Sequence, residues 1–399
     1  MKVALVHDYL TRFGGAERVL LALAAMFPKA PIYCLLYDEQ KMGRWFGPER
    51  VRPSFLQKFP RFLRTHHKYL LPLLPSAPET FDLREFDLVI SSSSAFAKGV
   101  VTRPKTIHIN YCHNPARFLW DYSFDYLKEQ DLGFFRRVIV KLSLNYLRLW
   151  DRSASLRVDH FLANSKNTAE RIQKYYRREA EIIYPPVRMS QFETTSNAPA
   201  GNFQKLGLTE VLSGQYFLIV SQLTPYKKID VAVEAFNKLE LPLVIIGEGP
   251  QKAELQKIAK ENVKIIGWQS DKAVSDYYKN CFAFIFPGED DFGITPIEAM
   301  SYGKPVLALK AGGAMETVLP GITGELFEAA IPEVLADGVR RLRENYSRFS
   351  PLVIRKWAER FSEERFRRQF MEFVRRIRYN ESNPTGVFNK VEWEKCIKF

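Results

Sequence analysis

The chain has 399 residues, of which 46% are hydrophobic and 26% charged, and this balance excludes a protein that is disordered throughout. At roughly 150 residues per domain, the length favours two domains. The formal net charge of +13 and the pI near 9.4 predict attraction to polyanions, whether nucleic acid, an anionic membrane leaflet or a phosphorylated substrate.

The cysteines and the first residues bear on the compartment. Cys34, Cys112, Cys281 and Cys396 lie far apart, without CxxC pairs or metal-ligand spacing, which is typical of buried thiols in a reducing compartment. The N-terminus turns polar at His7, too early for the apolar core of a signal peptide, and no run reaches the roughly 18 apolar residues of a spanning helix. We therefore expect a cytoplasmic protein without disulfides.

The first half opens with a strand, a glycine turn and a helix. A buried-strand pattern covers Val3 to Val6, the turn contains Gly14 and Gly15, and an apolar-periodic helix runs from about Ala16 to Met26. Further apolar runs follow at Pro31 to Leu36, Phe86 to Ile90, Thr106 to Tyr111 and His160 to Ala163. This alternation predicts a parallel sheet with crossover helices.

The second half repeats this architecture. After the break at Pro185 and Pro186, a polar stretch from Asn197 to Ser213 predicts the linker between a domain of residues 1–197 and one of residues 198–378. New strands are predicted at Tyr216 to Ser221, Leu243 to Gly247, Val263 to Gly267, Phe282 to Phe286 and Pro305 to Leu309. An arginine-rich helical region, 352–378, is expected to break near Phe361. The tail 379–399 carries no pattern of its own and is placed on the first domain.

Residues 288–305 carry the strongest chemical signal. An apolar strand runs into an acidic turn, and Pro296 stands where a first helical residue is expected, ahead of Glu298. Backbone amides from Gly293 to Thr295 would face an anion, which the helix dipole also favours, while Asp290 and Glu298 would accept hydrogen bonds from hydroxyls. An anion together with a polyol indicates a sugar nucleotide.

Other strand ends in this half carry weaker signals at equivalent places. Lys227 and Lys228 would reach a diphosphate, or else belong to a solvated basic turn. Trp268, after Gly267, would border a flat base or lie in the core. The glycine turns at 247–249 and 312–313 permit close approach of another group. Since ligands of open α/β sheets bind at the carboxyl ends of strands, together these turns favour a ligand site.

The first half offers fewer candidates. Gly15 lies in a turn that permits close approach of a phosphate, but the GxGxxG spacing of a dinucleotide site is missing. The serines of 91–94 face a ligand or cap a helix. His113 follows a predicted strand, and although a lone histidine is usually structural, this position favours a functional role.

A basic and aromatic stretch near residues 58–68 has two open interpretations. It lies on an anionic membrane surface, or it is a solvated helix with one buried face. Stacking on single-stranded nucleic acid is a weaker alternative, because no RNP, zinc-finger or helix-turn-helix signature accompanies it. The basic residues of the stretch are Lys58, Arg61, Arg64, His66, His67 and Lys68.

With these residues identified, nearly the whole chain resembles the retaining glycosyltransferases of the GT-B fold, family 4, and especially bacterial mannosyltransferases of O-antigen and exopolysaccharide assembly. Asp290 and Glu298 match the two ends of the family's Glu-x7-Glu motif, and Phe292 to Pro296 match the residues between them. The resemblance implies an α/β protein with two Rossmann-like domains facing a central cleft and a C-terminal helix returning toward the first domain.

The resemblance also implies roles on the donor. Glu298 would hold the ribose hydroxyls, and Asp290, with Glu289 as its alternative, the donor sugar. The amides of Gly293, Ile294 and Thr295 would hold sugar and phosphates. Lys227 falls at the position of the family's diphosphate lysine, but Gln222 stands at the arginine position and lacks a guanidinium's charge, which Lys228 or Arg117 would have to replace. His113 matches a histidine beside the transferred sugar, and Gly15 an amide near the donor phosphate.

The implied reaction is transfer of mannose, from GDP-mannose, to a lipid-linked or oligosaccharide acceptor at the inner face of the membrane, with Lys227, His113 and Asp290 as catalytic residues. Neither a cofactor nor a metal is expected, because cationic groups and amides would stabilise the leaving diphosphate. The alternatives are a sugar-nucleotide epimerase and a non-enzymatic protein that binds nucleic acid or another polyanion on a degenerate GT-B fold. The oligomeric state does not follow from the sequence.

Overall fold

The computed structural model describes residues 1–124, 127, 133–190 and 216–382. The chain divides into two compact units, one formed by Met1–Pro186 with the chain from Glu364 onward, the other by Val187–Glu363. The predicted linker, Asn197 to Ser213, lies outside the described residues. The boundary differs from the expected one at 197/198, because Val187 already donates its backbone N–H to Phe361 O of the second unit, at 2.9 Å.

The described part of the first unit contains a parallel sheet of seven strands. They are β1 (Val3–Leu10), β2 (Ile32–Tyr37), β3 (Val51–Pro53), β4 (Leu88–Ser93), β5 (Ile107–Cys112), β6 (His160–Ala163) and β7 (Ala180–Ile182). Their order is β3-β2-β1-β4-β5-β6-β7. The predicted apolar runs are confirmed as strands, whereas the short edge strands β3 and β7 were not predicted because three residues give too little pattern.

The helices described in this unit pack on both sides of its sheet. They are α1 (Gly15–Met26), α2 (Glu39–Met42), α3 (Arg61–Thr65), α4 (Ser76–Glu79), α5 (Phe134–Ser155) and α6 (Lys166–Tyr176). Buried side chains of β1 and α1 share one core, and those of α5 share another with the segment around residues 56–77.

The second unit repeats the design with a six-stranded parallel sheet. Its strands are β8 (Phe217–Val220), β9 (Leu243–Ile246), β10 (Val263–Gly267), β11 (Ala283–Phe286), β12 (Val306–Leu309) and β13 (Gly324–Phe327). Its described helices are α7 (Ile229–Leu239), α8 (Lys252–Ile258), α9 (Asp271–Asn280), α10 (Ile294–Ser301), α11 (Ala314–Thr317), α12 (Pro332–Glu344) and α13 (Pro351–Ala358). The sheet order is β10-β9-β8-β11-β12-β13, that of a doubly wound fold.

The last described helix, α14 (Glu363–Ser382), belongs to the first unit. The expected break near Phe361 is confirmed, since a short 3-10 turn there separates α13 from α14. Phe366, Phe370 and Phe373 are buried in the same core as Leu5 of β1. The assignment of residues 364–378 to the second domain was therefore wrong, because the apolar face of α14 packs where the first sheet leaves a matching apolar surface.

Candidate active site

In both sheets the strand order reverses beside the first strand, between β1 and β4 and between β8 and β11. A crevice opens at the carboxyl ends of two such strands, because the connections leaving them run in opposite directions. Predicted site residues follow these strands in each unit.

Lys227 and Asp290 meet at the reversal point of the second sheet. Lys227 follows β8 and Asp290 follows β11, and Lys227 Nζ lies 2.5 Å from Asp290 Oδ2. The Lys227 side chain is only 12% exposed, and its ammonium also lies 5.1 Å from the Tyr226 ring centroid. Burial by itself would lower the pKa of Lys227, but Asp290, Tyr226 and Asp291 raise it above its usual value. The site therefore holds a cation beside a carboxylate.

Helix α10 begins at this place. Gly293 precedes it with φ +82°, a left-handed conformation that suits glycine, and a Cβ there would lie 3.1 Å from the Phe286 ring. The sequence predicted Pro296 as the first residue of this helix. The helix instead starts at Ile294, so Pro296 is its third residue. A proline anywhere in the first turn costs no helical hydrogen bond. The amides of Ile294 and Thr295 belong to this first turn, which favours anions.

Glu298 lies one turn further along α10. Its Oε2 accepts a hydrogen bond from Tyr278 Oη at 3.0 Å, and the Tyr278 ring stacks on Tyr302 with centroids 5.8 Å apart. Tyr278 is buried on α9, so it holds the carboxylate of Glu298 in one orientation. Sequence reasoning missed this partner, because the contact joins two different helices.

Glycines let the loops of this site approach each other. A Cβ on Gly288 would lie 2.6 Å from Lys227 O, so the acidic turn and the Lys227 loop touch backbone to backbone. Gly313 donates its N–H to Asp290 O at 2.9 Å, and a Cβ on Gly312 would lie 2.2 Å from the same oxygen. The predicted close approach at residues 312–313 is thus made to the acidic turn itself.

The 247–249 turn and Trp268 form a neighbouring contact. Gly247 donates its N–H to Gly267 O at 3.0 Å, and Trp268 donates its backbone N–H to Glu248 Oε1 at 3.1 Å. Glu248 also accepts from Lys252 Nζ at 2.8 Å. Trp268 is 66% exposed, so the alternative that it lies in the core was wrong. A base-stacking role stays a prediction.

The remaining candidates for donor binding lie on the loops that carry Lys227 and Asp290. Gln222 is partly exposed in the loop after β8, where its carbonyl accepts from Thr224 N at 3.1 Å. Lys228 is exposed and adopts a left-handed conformation, φ +53°, at the start of α7. Glu289 is partly exposed beside Asp290, next to Gly312. The structure therefore gathers Lys227, Asp290 and the start of α10, with Gln222, Lys228 and Glu289 on the adjoining loops.

The reversal point of the first sheet holds a hydrogen-bonded network instead. His7 of β1 is paired in register with Ser92 of β4. Ser92 Oγ lies 3.2 Å from His7 Nδ1 and 2.8 Å from His113 Nε2, and His7 Nε2 lies 3.3 Å from Glu17 Oε1. Glu17 stands in the first turn of α1, which begins at Gly15. Sequence reasoning missed His7 and Glu17.

One direction of hydrogen bonding satisfies all three contacts. His7 Nε2–H donates to Glu17, Ser92 O–H donates to His7 Nδ1, and His113 Nε2–H donates to Ser92 Oγ. Burial, and secondarily the neighbouring His7, lowers the pKa of His113 to about 3, so this ring is neutral at physiological pH. Its Nδ1 is then a hydrogen-bond acceptor.

Metal binding has no visible basis in the described ranges. Between residues 1 and 382, leaving out the undescribed gaps, no group of three or more His, Cys, Asp or Glu side chains is arranged to hold an ion. The expectation that the reaction needs no metal stays a prediction.

Comparison with known proteins gives the family. Residues 207–363 match the domain family "Glycosyl transferases group 1", and residues 13–191 match "Glycosyltransferase Family 4". The chain belongs to the glycosyltransferases. Its two matched regions include all candidate residues named above except His7, which lies on β1 ahead of residue 13.

Two individual relatives match this chain over part of their length. The alpha-1,3/1,6-mannosyltransferase ALG2 of Saccharomyces cerevisiae is 27% identical over 339 residues, 70% of this chain and 63% of that protein. A GDP-mannose-dependent alpha-mannosyltransferase of Mycolicibacterium smegmatis is 29% identical over 195 residues, 46% of this chain and 49% of that protein. The two matches therefore span 63% and 49% of these relatives' own length.

Among solved structures, Anabaena Alr3699/HepE in complex with UDP-glucose superposes with a TM-score of 0.68 at 18% sequence identity, covering 94% of this chain and 99% of that one. At 18% identity this similarity shows a shared fold and nothing about the activity. The predicted fold class, α/β with two Rossmann-like domains of the GT-B type, is confirmed.

Proposed function

We propose that this glycosyltransferase is a retaining mannosyltransferase that uses GDP-mannose. The observation that carries the proposal is the cation of Lys227 beside the start of α10, at the reversal point of the second sheet. Two kinds of positive potential, an ammonium and first-turn amides, converge there, as a nucleoside diphosphate requires. Mannose as the sugar is supported by the names of the yeast and mycobacterial relatives.

The chemistry follows from the charges. Cleavage of the bond between sugar C1 and phosphate leaves negative charge on the diphosphate, which Lys227 and the amides of Ile294 and Thr295 stabilise. Asp290 is positioned to accept hydrogen bonds from sugar hydroxyls while it keeps Lys227 charged. The acceptor oxygen bonds to C1 on the face that the phosphate leaves, and the departing phosphate oxygen takes the acceptor's proton. Glu298, oriented by Tyr278, holds the ribose.

The first unit is proposed to bind the acceptor. Its network presents the Ser92 hydroxyl and the neutral His113 ring, which suit sugar hydroxyls. The acceptor is a lipid-linked or oligosaccharide chain of a surface polysaccharide, reached at the inner face of the cytoplasmic membrane. Because His113 is neutral, it contributes hydrogen bonding and not charge to the reaction.

The test is a donor screen. GDP-, UDP- and dTDP-sugars are incubated with the full chain, and sugar release and transfer are followed by chromatography and by NMR of the anomeric proton. We expect turnover with GDP-mannose and retention of the anomeric configuration. Turnover with a different donor would overturn the mannose assignment. An inverted product would overturn the mechanism, and nucleic-acid binding that falls steeply with salt, without affinity for any sugar nucleotide, would overturn the enzyme itself.

A further inference from the structure

Helix α5 carries apolar side chains on two sides. One side, with Val140, Leu144 and Leu147, packs into a core of the first unit. The other side is exposed: five of its large apolar residues are between 42% and 67% exposed, namely Val138, Ile139, Leu142, Tyr146 and Leu149. At 3.6 residues per turn these five lie within an arc of about 100°. They form a continuous apolar stripe along the helix.

A basic flank runs beside this stripe. Arg137, Lys141, Arg148 and Arg152 recur along the neighbouring side of α5, and Arg148 is anchored by a hydrogen bond to Leu119 O at 2.6 Å. The helix contains one acidic residue, Asp151, which is fully buried and paired with Lys98. The exposed surface of α5 therefore combines apolar side chains with positive charge alone.

The surface continues onto the segment that packs beside α5. A shallow groove of about 270 Å³ lies between them, lined by Leu71, Pro72, Leu142, Ser143, Tyr146 and Leu147. The predicted basic and aromatic stretch adjoins this segment. Its Leu63 packs on the core that holds Leu144, whereas Phe62, on α3, is exposed. The stretch therefore has a buried face and an exposed apolar residue, and its place on a membrane surface stays a prediction.

We propose that the docking face, defined as the α5 stripe with its basic flank and the adjoining groove, lies on an anionic lipid bilayer. An exposed apolar stripe with adjacent cations is what an interfacial helix requires, with apolar side chains among the acyl chains and cations at the phosphates. No helix in the described ranges is long and apolar enough to cross a membrane. The proposal deepens the proposed function by assigning the surface that brings the enzyme to a lipid-linked acceptor.

A second copy of the chain fits this face less well. A two-fold contact between antiparallel α5 helices would set each basic flank against its own copy, which is unfavourable. A membrane with phosphatidylglycerol supplies both a hydrocarbon layer and the opposite charge.

The experiment is flotation of the full chain with vesicles of phosphatidylcholine, with and without phosphatidylglycerol. We expect binding only to the anionic vesicles, and weaker binding as the salt concentration rises from about 0.1 M to about 1 M, where screening shortens the electrostatic range about threefold. Lys141→Ala with Arg152→Ala should lower the partition coefficient about 25-fold, at about 1 kcal/mol per cation. Leu142→Glu with Leu149→Glu should lower it by at least about tenfold.

Matched controls come from the second unit. Leu352→Glu with Val353→Glu places the same charges on exposed apolar residues of α13, and Lys272→Ala with Lys279→Ala removes two exposed lysines of α9. Both controls should float like wild type. Circular dichroism melting checks that every variant is folded.

The outcomes separate this proposal from the proposed function. GDP-mannose hydrolysis without vesicles reports on the donor site, and the docking variants should leave it unchanged. Hydrolysis without vesicle binding would overturn the docking face, whereas vesicle binding without use of GDP-mannose would overturn the donor assignment. Equal binding to neutral and anionic vesicles, or a dimer that the leucine variants dissociate without any vesicle binding, would also overturn the docking face.

Discussion

The two sheets reverse their strand order at the same point, yet the residues placed there differ in kind. In the second unit a lysine and an aspartate stand beside the first turn of α10. In the first unit two histidines, a serine and a glutamate form a hydrogen-bonded chain. The shared topology supplies the crevice, and the side chains decide which ligand it suits: a diphosphate needs positive charge, whereas sugar hydroxyls need oriented hydrogen-bonding partners.

The largest effect should come from removing the charge of the second unit. We expect Lys227→Ala to lower kcat about 100- to 1,000-fold, because its charge matters most as the diphosphate leaves. Steady-state kinetics with GDP-mannose measure the change. Lys228→Ala, at the exposed neighbouring lysine, is the matched control and should cost less than about tenfold. Equal losses for the two lysines would show that Lys227 has no special role.

The next effect concerns the nucleotide contact of the same unit. Glu298→Ala should weaken GDP affinity by about 10- to 100-fold, the range expected for loss of hydrogen bonds to a charged group. Tyr278→Phe should raise the KM for the donor a few-fold and leave kcat unchanged, since it only orients Glu298. Calorimetric titration with GDP measures the first and kinetics the second. A fall in kcat for Tyr278→Phe would contradict the orienting role.

The network of the first unit should respond more mildly. Ser92→Ala breaks both of its contacts, and we expect kcat/KM for the acceptor to fall by up to about tenfold with donor affinity unchanged. Ser91→Ala is the control, because Ser91 is equally buried but bonds His108 and not His113. Loss of donor affinity in Ser92→Ala would remove the distinction between the two units.

The smallest effect is on stability at low pH. Burial lowers the pKa of His108 to about 4 and that of His113 to about 3, whereas unfolded histidine titrates near 6.5. Below pH 6.5 the unfolded chain binds more protons, so stability falls as the pH falls from about 6.5 to about 4 for His108 and to about 3 for His113. Urea unfolding at pH 7 and pH 4.5 should show a smaller drop for His108→Asn than for wild type. His160→Asn, at a partly exposed histidine, should behave as wild type.

The parts of the fold that the sequence predicted are those set by local pattern. Apolar runs such as Val263 to Gly267 became strands with the expected bounds, and the acidic turn before α10 was found because its glycine, proline and carboxylates are neighbours in the chain. Local pattern does not place α14, whose return toward the first domain was implied by the family resemblance alone and is confirmed. Its amphipathic pattern shows that one face is buried, but not which unit buries it.

The missed site residues have partners far away in the sequence. Tyr278 contacts Glu298 from another helix, and His7 reaches Ser92, 85 residues later. A signal was nevertheless present, because His7 and residues 91–93 are polar residues directly after the apolar runs that the sequence predicts to be buried strands. Buried polar side chains need partners, so two such strands predicted side by side indicate a shared network.

The central claim is that the second unit binds a nucleotide-linked mannose at its reversal point. A crystal structure of the full chain soaked with GDP-mannose tests it most directly. The account predicts diphosphate oxygens at about 3 Å from Lys227 Nζ and from the amides of Ile294 and Thr295, with the ribose on Glu298. A diphosphate bound instead at the His7, Ser92 and His113 network of the first unit would contradict it.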